Sequence, residues 1–348
     1  MNRTPPARAT RSRPLAMLTG ATLAACMWLA ACNPTIRIDL LPGPEALEPV
    51  VVLEKEASTS HRIAMIELRG LLVDSVRPTL LGGGENPVDR FVAQLTLAEE
   101  DPRVKAVIVR ISSPGGTVTS SHILYTELRA FRERSGKPVV VSIGEVAASG
   151  GYYVSLAADQ IIAEPTSITG SIGVIVQTVN VSKGLSMIGI TSRSVVSGQN
   201  KDMANPLEPV EERHFAVLQE LVDGSYARFK DLVVERRPRL NPTNLDMATD
   251  GRIFSGEAAH KLGLIDGLGG VREAHAAAKS LAGIEAAQLV RYVTGGETAR
   301  TPYAALPSST PSAEREINLF QLNLAGHAQL GGLGNPMETS GIYYLWMP

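Results

Sequence analysis

Lys137-Pro-Val-Val-Val-Ser-Ile-Gly-Glu-Val-Ala-Ala-Ser-Gly-Gly151 decides the fold. Its first half is a short apolar run rich in β-branched residues, bounded by a proline and a glycine, and reads as a buried strand over 137–143. Its second half, Val146–Gly151, is a glycine-bearing turn, and a helical pattern over Gly151–Ala158 starts behind it. Outward from this unit the same texture recurs. Ile63–Leu68, Lys105–Ile111 and Gln160–Ala163 are further apolar runs, and Val88–Glu100 and Ser120–Arg134 are helical patterns between them. Strands that alternate with helices predict an α/β chain with a parallel sheet covered by flanking helices. Pro209–Arg237 is a long amphipathic stretch, with Phe215, Leu218, Leu221 and Tyr226 on its apolar face, and predicts a helix packed on that core. Gly256–Leu262 and Gly270–Leu281 predict two shorter helices, and no repeat of fixed period is visible.

The two ends differ from the middle. Arg3, Arg8, Arg11 and Arg13 precede the seventeen uncharged residues Leu15–Ala31, the pattern of an export signal. The run is slightly short for a membrane span of about 20 residues. Leu29-Ala-Ala-Cys32 resembles a bacterial lipoprotein box, with Cys32 as the lipid-bearing residue; an uncleaved anchor and a simple cleaved signal are the alternatives. Each places the body outside the cytoplasm at a membrane surface, on the periplasmic side. The expected organisation is a signal or anchor over 1–32, a Pro/Gly-rich spacer over 33–60, a catalytic domain over 61–283 and a flexible tail over 284–348. In that tail Ile342-Tyr-Tyr-Leu-Trp346 is apolar and strand-like; it reads as a loosely docked end, with a place in a neighbour's groove or in a substrate groove as the alternatives.

Composition narrows the function. With 44% apolar residues among 348, the chain can bury a full core. Thirty-three Lys and Arg against thirty-five Asp and Glu give a net charge of −2, which offers no basic excess for nucleic acid. Both cysteines, Cys26 and Cys32, lie in the leader, which excludes a disulfide scaffold and thiolate metal sites in the body.

Two glycine turns follow strands: Ser112-Ser-Pro-Gly-Gly116 and Val146-Ala-Ala-Ser-Gly-Gly151. A serine at a strand-to-helix turn can expose its Oγ, and two converging backbone N–H groups are what a tetrahedral oxyanion needs. Ser149 also reads as a helix N-cap. None of the six histidines lies between Ser149 and His214, so a desolvated lysine is the other possible base. Such an amine, with an ordinary pKa of about 10.4, must be held neutral by a dry, apolar pocket. Asp202 adjoins Lys201, and an extended segment would point the two to opposite faces.

Four segments in order, Ser113-Pro-Gly-Gly116, Ala147-Ala-Ser-Gly-Gly-Tyr-Tyr153, Thr169-Gly-Ser-Ile-Gly-Val174 and Ser197-Gly-Gln-Asn-Lys-Asp202, resemble the signal peptide peptidase SppA family of serine–lysine proteases. Asp250-Gly-Arg-Ile-Phe254 and Leu264-Ile-Asp-Gly-Leu268 extend the resemblance, which covers about residues 61–283 and matches the short, single-unit members. It implies a ClpP/crotonase-like spiral of ββα units. It also implies Ser149 as nucleophile, Lys201 as general base and Ser171 as the hydroxyl that orients the amine. The N–H groups of Gly150 and of Gly115 or Gly116 would form the oxyanion hole. ClpP-like enzymes place a histidine where this chain has Val174, which disfavours serine–histidine chemistry. The implied substrates are hydrophobic peptides such as remnant signal peptides, and no cofactor or metal is expected. A homo-oligomeric ring, in which one subunit's Lys201 serves another's Ser149, is the implied assembly. Two other readings fit the same turns: a catalytically silent peptide-binding lipoprotein, and a crotonase-type thioester enzyme, which export counts against.

Overall fold

The structure, a computed structural model, describes residues 47–54, 58–76, 86–294, 299–304 and 343–345. The chain divides into two units, residues 1–45 and 46–348, and all described residues belong to the second. Residues 15–31 and Cys32 therefore lie outside the described residues. Among the described residues no helix is long and apolar enough to cross a membrane.

Among the described residues the main sheet holds β1 (Glu48–Leu53), β2 (Arg62–Arg69), β3 (Val104–Ser113), β5 (Val139–Ala148), β6 (Gln160–Ala163), β7 (Ile168–Gly170), β8 (Ile253–Ser255), β9 (Gly267–Leu268) and β10 (Gln288–Val293), while β4 (Gly115–Thr117) lies outside it. The main path is ordered β1-β10-β2-β3-β5-β6-β9, and its members are parallel except for the antiparallel edge pair β1 and β10. Between the strands lie α1 (Pro87–Glu100), α2 (Val118–Ser135), α3 (Gly150–Ser155), α4 (Ser182–Met187), α5 (Glu212–Arg236), α6 (Leu245–Ala248), α7 (Gly256–Leu262) and α8 (Val271–Leu281).

Alternation along the strands splits the core in two. Val107, Val109 and Ile111 of β3 face a large cluster with Phe91 and Leu95 of α1, Leu124, Leu128 and Phe131 of α2, and Phe229 of α5. Ala106 and Ile108 point the other way, onto Val271, Ala274 and Ala278 of α8. Each fully buried Val, Leu, Ile or Phe contributes about 1.5–3 kcal/mol, so central strands buried on both faces read as nearly continuous apolar runs. Local signals set the helix ends. The Asn86 side chain accepts from the Val88 N–H, Pro87 occupies the first turn of α1, and Gly136 closes α2 at φ 65°.

The sheet extends past 61–283 at both ends. Glu48–Leu53, expected in the spacer, pairs with Gln288–Val293, expected in the tail. β10 carries Arg291 in its middle, only 1% exposed, which breaks the apolar pattern of a strand. The arginine is neutralised by Glu67, whose Oε2 accepts from Nη2 at 2.6 Å, while Nη1 donates to the Ala304 carbonyl.

One irregularity builds the site. The first half of β5 pairs with β6, and its last residues, Val146–Ala148, pair instead with β7. β7 in turn pairs antiparallel with β8. β5 thus forks after Ile143 within one sheet, its first half staying with β6 and its end turning to β7, and the Ser149 turn follows directly from that end.

Candidate active site

Ser149 joins β5 to α3 with φ 52° and ψ −114°. A positive φ on a residue with a Cβ costs about 1–3 kcal/mol and persists only where its surroundings enforce it. Here they do. The Ser149 N–H donates to the Gly170 carbonyl at 2.8 Å, and its own carbonyl accepts from the Tyr153 N–H at 2.8 Å. On the other side, a Cβ on Gly151 would crowd the Ser113 carbonyl at 2.9 Å, so glycine lets α3 close onto the neighbouring turn. The residue is 1% exposed, and its Oγ has no hydrogen-bond partner. A buried hydroxyl left unpaired costs free energy and is uncommon outside functional sites.

The turn Ser113–Thr117 lies against α3. Ser113 Oγ donates to the Gly70 carbonyl at 2.6 Å and accepts from the Gly115 N–H at 3.0 Å. The Leu72 N–H donates to the Gly115 carbonyl, and the Leu72 carbonyl accepts from the Thr117 N–H. Peptide groups alternate direction along a strand, so the N–H and C=O of Gly116 face the edge opposite Leu72. A Cβ on Gly116 would overlap the Leu72 carbonyl, which makes glycine obligatory there. On that free edge β11 (Tyr343–Leu345) pairs antiparallel with β4, Tyr344 opposite Gly116. Ile342 and Trp346, which flank this strand, lie outside the described residues.

Ser171 follows Gly170, whose carbonyl holds Ser149. It too has a positive φ, 51°, and is 8% exposed, with its N–H donating to the Arg252 carbonyl at 2.7 Å. The register Ala148 opposite Gly170 places Ser149 and Ser171 side by side at the ends of β5 and β7.

Lys201 stands elsewhere in the single chain. It is exposed, in a turn where its N–H donates to the Gly198 carbonyl at 3.0 Å. Because Ser149 Oγ has no partner, Lys201 Nζ is not within hydrogen-bond reach of it. Nor is any of the five described histidines. His122, on α2, instead has its Nδ1 3.0 Å from the Tyr153 hydroxyl, and burial lowers its pKa while pushing the Tyr153 phenol up to about 12. The extended geometry expected at 201–202 is corrected by a run of turns, with the Asn205 N–H on the Asp202 carbonyl. Lys201 and Asp202 nevertheless part: the Asp202 side chain turns inward, its Oδ1 buried 3.8 Å from His214 Nε2. Sequence reasoning passed over His214, because a contact across 12 residues of irregular chain leaves no periodic signal.

None of residues 173–213 is buried. Apolar side chains stand exposed along this arm, among them Val179, Met187, Ile188, Ile190 and Val195, the last fully so.

Known proteins resemble the chain across this region. The model of peptidase family S49 matches residues 131–285, a span that includes Ser149, Ser171 and Lys201. Protease 4 of Salmonella typhi is 38% identical over 233 residues, 66% of this chain and 36% of that protein. A putative protease of Synechocystis sp. is 34% identical over 254 residues, 70% of this chain and 86% of the relative. A putative signal peptide peptidase SppA of Enterococcus faecium is 32% identical over 215 residues, 62% of each. The chain therefore spans about a third of Protease 4 and most of the cyanobacterial relative.

Proposed function

The chain belongs to peptidase family S49, with its ClpP/crotonase-type α/β fold, and from that premise we propose a serine endopeptidase whose nucleophile is Ser149 and whose base is Lys201 of a neighbouring copy. The observation that carries this reading is the Ser149 Oγ: buried, on an enforced positive φ, and with no hydrogen-bond partner among the described residues. A hydroxyl held so leaves its hydrogen-bonding capacity open to a group that another copy could bring. The exposed apolar arm that carries Lys201 supports the same assembly, since a segment without buried residues gains its packing against another surface.

In the reaction proposed, Ser149 Oγ attacks the peptide carbonyl carbon while its proton passes to Lys201 Nζ. The carbonyl oxygen takes up the negative charge and is held by the N–H groups of Gly150 and Gly116. We assign Gly116 rather than Gly115 because the Gly115 N–H donates to Ser113 Oγ, whereas the Gly116 N–H faces the edge that an extended substrate would take in place of β11. The C–N bond then breaks and the amine leaves with the proton from Lys201. Water attacks the acyl ester, gives its proton to Lys201, and Ser149 departs carrying that proton. Ser171, beside Ser149, orients the amine.

We take the substrates to be hydrophobic peptides such as remnant signal peptides, met at the extracytoplasmic face of a membrane to which a lipid on Cys32 anchors the enzyme. The pairing of β11 on β4 supports an extended, antiparallel peptide at the Gly116 edge. The chain's own tail then competes with substrate. Ending the chain at Gly341 is expected to lower KM for an apolar fluorogenic peptide severalfold with kcat unchanged, since an occupied site reduces apparent affinity by the fraction left free. Identical KM values for the full and shortened chains would show that β11 and substrate do not share this edge.

A further inference from the structure

We propose that His214 is a positioning residue for Lys201, an inference that rests on Lys201 being the base. His214 is the first buried residue after the long exposed arm, 7% exposed in the opening turn of α5. It spends its Nε2 on the turn that carries the lysine: Nε2 lies 2.9 Å from the Gln199 carbonyl and therefore donates to it. Asp202 Oδ1 lies 3.8 Å from the same nitrogen, buried and without a hydrogen-bond partner of its own. Residue 199 on one side of Lys201 is thus hydrogen-bonded to the imidazole, and residue 202 on the other lies beside it. The neighbouring Arg213 adds Nη1 to the Gln199 Oε1 at 3.3 Å.

Two consequences follow for the amine. The tie fixes the backbone from which a four-carbon side chain must reach a serine outside its own chain, and misplacement by about 1 Å can cost on the order of 100-fold in rate. It also keeps the adjacent carboxylate turned inward. Released, Asp202 would lie free to pair with Lys201, and a carboxylate beside an amine favours the charged form, which cannot accept a proton. Asn180 secures the rest of the arm in the same manner, donating from Nδ2 to the Glu208 carbonyl at 2.7 Å, but its partners lie well past the lysine. His214 alone among these ties brackets residue 201.

The test uses the full chain in its assembled form, with kcat and KM measured on an apolar fluorogenic peptide. His214→Leu, which cannot donate, is expected to lower kcat at least about tenfold with KM within about twofold and oligomer mass unchanged. His214→Gln, whose amide can donate to the Gln199 carbonyl, is expected to return kcat to within about threefold of the parent. Packing alone would change the yield or thermal midpoint of assembled protein, not the kcat of what assembles. If His214→Leu does not assemble, His214→Asn, too short to reach the carbonyl, takes its place with the same expectation. A kcat within twofold of the parent in the non-donating variant, or an equal loss in His214→Gln, would overturn the proposal. Lys201→Met measured alongside separates the two levels. An active Lys201→Met removes the base and this inference together, whereas an inactive one beside a fully active His214→Leu removes this inference alone.

Discussion

Ser149→Ala and Lys201→Met are each expected to lower peptide turnover by about 1,000-fold or more while leaving the chain folded and assembled. The expectation of intact folding comes from the same contacts as the expectation of lost activity. Ser149 Oγ has no hydrogen bond to lose, and deleting a buried, unpaired hydroxyl is neutral or stabilising. Alanine keeps the Cβ, and the two backbone bonds that enforce the positive φ, to Gly170 and from Tyr153, remain. The thermal midpoint of Ser149→Ala should therefore equal or slightly exceed that of the parent. Lys201 is exposed, so its truncation removes little packing. Turnover of an apolar fluorogenic peptide reads the loss, and parental turnover in either variant would contradict the dyad.

The second large effect is a recovery. If the lysine of one copy serves the serine of the next, mixing the two inactive variants rebuilds working dyads wherever a Ser149-bearing Lys201→Met chain meets a Lys201-bearing Ser149→Ala chain. Random mixing in equal amounts places such pairs at about a quarter of the interfaces of a ring. Chains mixed unfolded and assembled together should regain roughly that fraction of parental activity, whereas separately assembled oligomers mixed afterwards should regain it only as subunits exchange. A dyad closed within one chain gives no recovery at any ratio.

Much of the fold was legible because its central strands are buried on both faces. β2, β3 and β5 show as mostly apolar runs interrupted by single polar or charged residues such as Glu67 and Arg110, and Gln160–Ala163 and Gly256–Leu262 fall where the pattern puts them. The edges were not legible. β1 begins with Glu48-Pro49 and β10 hides a paired arginine, so neither looks like a strand until Glu67 is seen beside Arg291. β7, β8 and β9 have two or three residues, too few to show a period of two. At the site, the serine followed by two glycines was legible as a strand-to-helix turn, and the structure adds its positive φ. That Ser113 Oγ accepts from the Gly115 N–H, while Gly116 turns to the edge paired with β11, is a local arrangement that sequence leaves open. That Lys201 Nζ lies outside hydrogen-bond reach of Ser149 Oγ in one chain was beyond sequence altogether, since spacing along the chain does not set separation in space.

The most direct measurement is mass-spectrometric mapping of the adduct formed when the assembled protein meets a fluorophosphonate. The account predicts a single phosphonyl group on Ser149, formed at least about tenfold more slowly in Lys201→Met, because the thiol-free body leaves an activated hydroxyl as its nucleophile. An adduct on another residue, or the same rate on Ser149 with and without the lysine, would contradict it.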